Sequence, residues 1–276
     1  MEILISFIIP FIILLTVVVF IHEYGHYYYA KKYGVGVTDF SIGFGKEIFG
    51  FNDKSGTRWK FCLIPLGGYV KFFGDRNVFS QAEQAELLKK YSEEDQKKLF
   101  VVKPLYQRSL IVAAGPFANF LLAILIFAFI YMFAGKDFTP AQIQEVQPDS
   151  PAYEVGIKSG DIIKSINDKE VKSIMEVSAF INSSSSNIID IGILRNDNEL
   201  NFSVEPKVIK SEDALGNKAN KKIIGIKIAP LNEEINRQRL GPATALFYAI
   251  KETWFVIDAS WNLSLIHISE PTRLEP

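Results

Sequence analysis

Two histidines and a glutamate form the most distinctive chemical pattern of the chain, HEYGH at residues 22–26. In a helix, His22 and His26 lie one turn apart on the same face, and Glu23 lies beside them. Two neutral imidazoles at that spacing can bind one Zn²⁺, and the carboxylate can accept a proton from water on the metal. The pattern therefore predicts a zinc-dependent hydrolytic site, with His22 and His26 as metal ligands and Glu23 as catalytic base.

An uncharged stretch of nineteen residues, 3–21, leads directly into His22. At 1.5 Å of rise per residue it covers roughly 28 Å, enough to cross the hydrocarbon core of a bilayer. A cleaved secretory signal is the alternative, but no Lys or Arg precedes the stretch and no small-residue cleavage site follows it. We therefore expect a first transmembrane helix over residues 1–34 that carries the HEYGH segment.

A second uncharged stretch, residues 109–135, has Asn119 as its strongly polar side chain. Asn119 follows Gly115 by four residues, and the missing side chain of the glycine allows a close helix approach. The amide is a candidate donor to the oxyanion of a hydrolytic reaction, or a contact for the substrate. The alternative is that Asn119 only holds helices together. We expect this stretch to form a second transmembrane helix.

Charge and composition limit the class of protein and its orientation. The 276 residues are 48% apolar, with 30 Lys and Arg against 31 Asp and Glu, which disfavours disorder, a wholly water-soluble protein and nucleic-acid binding. Cys62 is the single cysteine, so no internal disulfide can form. Residues 31–108 hold 14 Lys or Arg against 9 Asp or Glu, and cationic connecting loops stay in the cytoplasm. Both ends of the two-span unit should then face the periplasm of a bacterium.

Residues 35–74 are rich in Gly, aromatic and β-favouring residues, with turn signals at residues 52–56 and at Gly67-Gly68, and they predict β-hairpins. The segment from Trp59 to Val70 is a candidate edge strand for pairing with an extended substrate. The alternative is that it only packs over the metal-binding helix.

The remaining chain divides at shifts in composition. The expected segments are a cytoplasmic loop or helix over 75–108, a small α+β module over 141–206 that can extend to 230, an amphipathic interfacial helix over 242–263, and a tail over 264–276.

Three segments together resemble the site-2 protease family (M50 type), and within it the bacterial zinc proteases similar to the regulator of sigma-E protease. They are FIHEYGHYYYAKKYGV at residues 20–35, IPLGGYVKFFGD at 64–75 and KPLYQRSLIVAAGPFANF at 103–120. The resemblance runs from residue 1 to about residue 260. It implies an enzyme that cuts peptide bonds of single-span membrane proteins inside or at the edge of the bilayer.

The same resemblance assigns roles to individual positions. It implies Zn²⁺ as cofactor, His22 and His26 as its ligands and Glu23 as the catalytic base. Residues 59–70 would correspond to a membrane-dipping β element of the family. Gly115, Pro116 and Asn119 are similar to the family's GPxxN motif, which implies that they contact the substrate. Gly67 and Gly68 are substrate-binding candidates on a separate ground, because glycine lets a substrate backbone approach closely.

Residues 150–171 (SPAYEVGIKSGDIIKSINDKEV) resemble the core of a PDZ domain of membrane and periplasmic proteases. Gly156 and Gly160 would allow its tight turns, and Asp161 would begin a strand. PDZ grooves bind extended peptide ends by strand addition. In this setting we expect a filter for trimmed substrates rather than a high-affinity receptor.

The chain departs from the family at the third zinc ligand. In the family this ligand is an Asp of an LDG motif on a later span, and no LDG occurs here. Asp258 lacks the following glycine and is disfavoured as a substitute, and His267 is taken as incidental. We expect a chain truncated at its C-terminus, with foreign sequence over residues 264–276.

The expected fold class is a multi-span α-helical membrane protein with membrane-associated β-hairpins and a periplasmic α+β PDZ-like domain. The expected function is zinc endoproteolysis of single-span membrane proteins, such as anti-sigma factors or remnant signal peptides, at the bacterial inner membrane. Its expected partners are these substrates and the lipid bilayer, with no nucleic acid. The alternative is an inactive, membrane-anchored PDZ-type peptide-binding protein, and a zinc transporter is a distant third.

Overall fold

The computed structural model describes residues 4–74, 88–184, 186–212, 218–230 and 235–269. The chain divides into two compact units, residues 1–124 and residues 125–276. Residues 75–87 of the expected cytoplasmic segment lie outside the described residues.

The first long helix, α1 (Ile9–Lys32), follows one π-helical turn at Leu4–Ile8 and runs without a break through HEYGH. Pro10 lies in its first turn, and its missing N–H leaves one backbone carbonyl of the preceding π-helical turn without that helical partner. The helix ends at Lys32, and Gly34 directly after the cap residue has a φ of 67°, the left-handed conformation that glycine adopts readily. The metal-type side chains therefore sit on a rigid element continuous with the apolar stretch.

Two long strands follow α1, and they form one irregular antiparallel hairpin. The strands are β1 (Val37–Asn52) and β2 (Arg58–Phe72). Residues 39–42 of β1 pair with both 58–61 and 68–71 of β2, so they lie in the middle of the sheet. The end of β2 is therefore an outer strand, because β1 is its only partner strand among the residues that the structure describes.

The expected turn at Gly67-Gly68 lies within β2, where the chain reverses: residues 58–61 run parallel and residues 68–71 run antiparallel to residues 39–42. Both glycines are also needed for close packing. A Cβ on Gly67 would overlap the ring of Phe44, and a Cβ on Gly68 would lie 2.7 Å from the Ser41 carbonyl oxygen.

The hairpin turn is closed by the carboxylate of Asp53, which accepts hydrogen bonds from Ser55 (N, 2.8 Å; Oγ, 2.7 Å) and from the Thr57 N–H (2.9 Å). It also accepts from the Tyr27 hydroxyl of α1 at 2.7 Å and from Trp59 Nε1 at 3.3 Å. Partial burial alone would raise the pKa of Asp53, but these donors outweigh it and hold that pKa well below its usual range. The turn is thereby attached to the helix that carries the histidines.

A short helix, α2 (Glu93–Gln96), precedes the second long helix, α3 (Leu105–Phe133). The expected bounds of 109–135 are shifted, because Gln107 and Arg108 fit the first turns of the helix and the chain leaves it before Gly135, whose φ is 89°. By length and composition, the segments Ile5–Lys32 and Leu105–Phe133 are long and apolar enough to cross a membrane.

The second unit contains a six-stranded sheet with the order β11 (Ile226–Pro230), β4 (Ala141–Val146), β5 (Ile162–Ile166), β7 (Ile189–Arg195) and β8 (Asn198–Val204), and β6 (Lys169–Glu170) pairs with β5. Ile189, Ile191 and Ile193 alternate along β7 and are all buried, as expected for one face of a strand. The elements in chain order are β3 (Lys136–Asp137), β4 (Ala141–Val146), α4 (Pro151–Glu154), β5 (Ile162–Ile166), β6 (Lys169–Glu170), α5 (Ile174–Ser183), β7 (Ile189–Arg195), β8 (Asn198–Val204), β9 (Lys207–Glu212), β10 (Lys218–Ile223), β11 (Ile226–Pro230), β12 (Arg237–Gln238) and α6 (Pro242–Ser269).

Two expected boundaries in this unit need comment. The sheet includes β11, so it extends to residue 230. Helix α6 does not stop at residue 263 but continues to Ser269, because residues 264–268 contain no glycine or proline that would end it.

Candidate metal centre

The two histidines of α1 direct the same ring nitrogen at each other. His22 Nε2 and His26 Nε2 are 3.2 Å apart, with the rings nearly perpendicular at 79°. Two nitrogen ligands of a tetrahedral Zn²⁺, with Zn–N distances of about 2.0–2.1 Å, lie about 3.3 Å apart. The pair therefore has the spacing of two ligands of one zinc ion.

Helix α3 supplies hydrogen-bonding groups behind both rings. His26 Nδ1 is 2.7 Å from the backbone carbonyl oxygen of Ile111, and His22 Nδ1 is 3.2 Å from the side-chain nitrogen Nδ2 of Asn119. A carbonyl oxygen only accepts, so Nδ1 of His26 carries the hydrogen and its Nε2 lone pair is free for a metal.

Glycines make this close approach of the helices possible. A Cβ on Gly115 of α3 would overlap Nε2 of both His22 and His26, and a Cβ on Gly25 of α1 would overlap the carbonyl oxygen of Ala114. The space that a metal site requires is therefore kept open by the absence of a side chain at residue 115. Sequence analysis did not single out Gly25, although its position inside HEYGH was a usable signal.

Glu23 lies between the histidines and the hairpin. Its half-buried carboxylate accepts a hydrogen bond from the backbone N–H of Val70, at the outer strand of the hairpin. A Cβ on Gly68 would lie 3.2 Å from Glu23 Cγ, so the strand backbone packs directly on the glutamate. Glu23 is thus next to both the histidine pair and a strand edge.

The structure brings most of the predicted site residues together in the first unit. His22, Glu23, His26, Gly115 and Asn119 form one cluster, and Gly68 packs against it. Of the remaining predicted residues, Gly67 packs on Phe44, and Pro116 is exposed on α3.

The donor set for zinc is incomplete within the described part of the chain, where no group of three His, Cys, Asp or Glu side chains is close enough to hold a metal. Asp258 is paired with Lys169 at 2.8 Å within the second unit. The side chain of His267 lies outside the described residues. The described residues therefore supply two imidazole ligands that fit a zinc ion, His22 and His26, and no third ligand.

In the second unit, a groove of 180 Å³ lies between α5 and β11, which is an edge strand of the sheet. The expected residues of this module support its turns and do not line the groove. Gly156 and Gly160 have φ values of 88° and 92°, and buried Asp161 forms a bidentate ion pair with Arg195 at 2.7 Å. Sequence analysis missed Arg195, which lies 34 residues from its partner. The groove is lined by Gln147, Val177, Ser178, Ile181, Asn182 and residues 222–226 and 228.

Known proteins resemble this chain along most of its length. A zinc metalloprotease of Mesorhizobium japonicum, named as putative, is 40% identical over 252 residues, which cover 90% of this chain and 68% of that protein. A second protein with that description, from Rickettsia conorii, is 42% identical, and the match covers 89% of this chain and 66% of the length of that protein. Metalloprotease MmpA of Caulobacter vibrioides is 33% identical, over 78% of this chain and 56% of its own.

Among solved structures, the PDZ domain of an SdrC-like protein from Listeria monocytogenes matches 33% of this chain and 88% of its own, at 24% identity and a TM-score of 0.27. The family described as "Peptidase family M50" matches residues 10–269, which include the histidine pair, Glu23 and Asn119. The chain belongs to peptidase family M50.

Proposed function

We propose that this protein is an intramembrane zinc metalloendopeptidase that cleaves single-span membrane proteins, such as anti-sigma factors or remnant signal peptides. One observation carries the proposal: two histidine nitrogens 3.2 Å apart and an adjacent glutamate lie on a helix that continues from an apolar segment long enough to cross a bilayer. Relatives with the name zinc metalloprotease support the class of reaction.

The chemistry follows from these side chains. His22 and His26 would hold the zinc ion, which when bound supplies a Lewis acid that lowers the pKa of water to about 7. Glu23 takes a proton from the attacking water and returns it to the leaving amine, so that the peptide bond is exchanged for a carboxyl and an amino group. The Val70 N–H that binds the Glu23 carboxylate orients this base.

A substrate helix has to be unwound before its amides can be attacked. The outer strand of the hairpin, residues 68–71, lies beside Glu23 and can pair with an extended peptide by strand addition. This position supports the edge-strand hypothesis for Trp59 to Val70 and limits it to the end of that segment. Gly67 and Gly68 would let the substrate backbone approach closely.

Membrane association is supported by two apolar surfaces. The hairpin exposes a set of large apolar side chains over residues 44–51 and 61–66. A surface in contact with water rarely exposes so many together. The apolar stripe of α6 is exposed as well, with Trp254 at 71% and Trp261 at 68%, whereas Glu252 and Asp258 face their own unit through ion pairs. The exposed hairpin side chains are Phe44, Ile48, Phe49, Phe51, Phe61, Leu63, Ile64 and Leu66.

We place the protein in the bacterial inner membrane with residues 31–108 in the cytoplasm and the N-terminus and PDZ-like module in the periplasm. The excess of Lys and Arg in residues 31–108 supports this orientation. The groove between α5 and β11 would bind the end of a trimmed substrate. Peptide binding without turnover is the second candidate function, and the groove favours it.

Cleavage of a reporter with a single transmembrane segment by the full-length protein tests the proposal. Glu23→Gln should abolish cleavage and leave zinc bound, because the amide cannot accept the proton. The matched control Glu154→Gln, at an exposed position of α4, should leave cleavage unchanged. Equal cleavage by Glu23→Gln and wild type would refute the mechanism, and peptide binding without any cleavage would favour the second candidate.

A further inference from the structure

We propose that Asn119 is a positioning residue that fixes the ring orientation and tautomer of His22 through its side-chain oxygen. This inference rests on the proposed zinc site. The Asn119 side-chain nitrogen Nδ2 is placed 3.2 Å from His22 Nδ1, and its oxygen Oδ1 is buried without a hydrogen-bond partner among the residues that the structure describes. A buried polar atom without a partner requires an explanation.

The chemistry of a histidine ligand supplies that explanation. His22 directs Nε2 toward His26, so a shared metal would bind Nε2, and the hydrogen of the neutral ring would be on Nδ1. An Nδ1–H group needs an acceptor. A half-turn of the Asn119 amide about its Cβ–Cγ bond exchanges the positions of its oxygen and nitrogen. The oxygen then faces Nδ1 of His22 and can accept its hydrogen.

The same helix face performs this task for both ligands. Ile111, Gly115 and Asn119 follow one another at intervals of four residues on α3 and therefore share a face. The Ile111 carbonyl binds His26 Nδ1, and the absent side chain of Gly115 leaves room for the two Nε2 atoms. Asn119 completes the series as the acceptor for His22.

This role uses the oxygen of the amide, whereas donation to an oxyanion or a substrate uses its nitrogen. Two substitutions separate them. Asn119→Asp keeps an oxygen acceptor and removes the NH₂ donor, and Asn119→Leu has a similar volume and removes both.

The test measures zinc affinity of the full-length protein by competition with a chelator, and the visible spectrum of the protein loaded with Co²⁺. Asn119→Leu should bind zinc about 10–100-fold more weakly and change the Co²⁺ spectrum, the usual effect of losing a group that orients a metal ligand. Asn119→Asp should bind zinc at least as tightly as wild type. The control Leu121→Ala, at an exposed position of α3, should change neither measurement.

The possible outcomes are distinct. Unchanged zinc affinity in Asn119→Leu, or equal losses in the Leu and Asp variants, would overturn the positioning role. A zinc affinity retained by His22→Ala would overturn the proposed zinc site, and the positioning role with it. Loss of zinc in His22→Ala together with wild-type affinity in Asn119→Leu would overturn the positioning role alone.

Discussion

At the scale of single residues, the site depends on what surrounds each ring nitrogen. The spacing of His22 and His26 was sufficient to predict that their side chains meet, because a helix places residues four apart on one face. The same reasoning could not identify the partner of His22. Asn119 is 97 residues away, and its contact arises only from the packing of α1 on α3.

Gly115→Ala should impair the metal site without removing any polar group. The added methyl group would overlap Nε2 of both histidines, so zinc affinity should fall at least about 10-fold, the range expected when ligand orientation is lost. Equilibrium dialysis against zinc measures the change.

The matched control is Gly241→Ala, because no atom lies within 4 Å of the position that its Cβ would occupy. Equal zinc affinity in the two variants would contradict the role assigned to the space at Gly115.

At the scale of elements, the hairpin positions the strand edge beside Glu23. Sequence patterning predicted β structure over residues 35–74, because alternating β-favouring and aromatic residues are a local signal. It also indicated a turn at Gly67-Gly68, and β2 reverses its direction between residues 61 and 68. The packing of these two glycines on Phe44 and Glu23 is a tertiary contact, and sequence alone does not reveal it.

The attachment of the hairpin turn to α1 should depend on pH through Asp53. Its pKa is held below the ordinary value of about 3.9, so the carboxylate stabilises the folded state above about pH 4 and loses this effect as pH falls toward its native pKa. Asp53→Asn should lower the free energy of unfolding at neutral pH by about 1 kcal/mol, a value for a partly exposed group with several hydrogen bonds.

Unfolding of both proteins in detergent, followed by circular dichroism from about pH 7 to about pH 3, measures the difference. The gap between wild type and Asp53→Asn should narrow on acidification. Asp197→Asn, in an exposed turn of the second unit, is the control and should follow the wild-type curve. A gap that is constant or grows at low pH would be inconsistent with a stabilising carboxylate.

At the scale of the whole molecule, the two apolar helices and the α+β module could be predicted because long uncharged stretches and short β-type runs are strong signals. The extent of α6 could not be predicted from the sequence, because the helix continues through the change in composition after residue 263. The inclusion of β11 in the sheet rests on pairing with β4, a contact between distant parts of the sequence.

The proposed orientation predicts which surfaces a membrane-impermeant maleimide reaches in cells with a permeabilised outer membrane. In a Cys62→Ser background, Asp197→Cys should be labelled and Lys97→Cys should be protected until the inner membrane is opened. Both positions are exposed, so a difference reports the side of the membrane and not burial. Labelling of Lys97→Cys in intact cells would reverse the orientation.

X-ray absorption at the zinc edge of the purified full-length protein tests the central claim most directly. We predict bound zinc with two imidazole nitrogens at about 2.0–2.1 Å, and loss of that signal in His22→Ala. Cleavage by a protein that contains no zinc, or an unchanged zinc spectrum in His22→Ala, would contradict the claim.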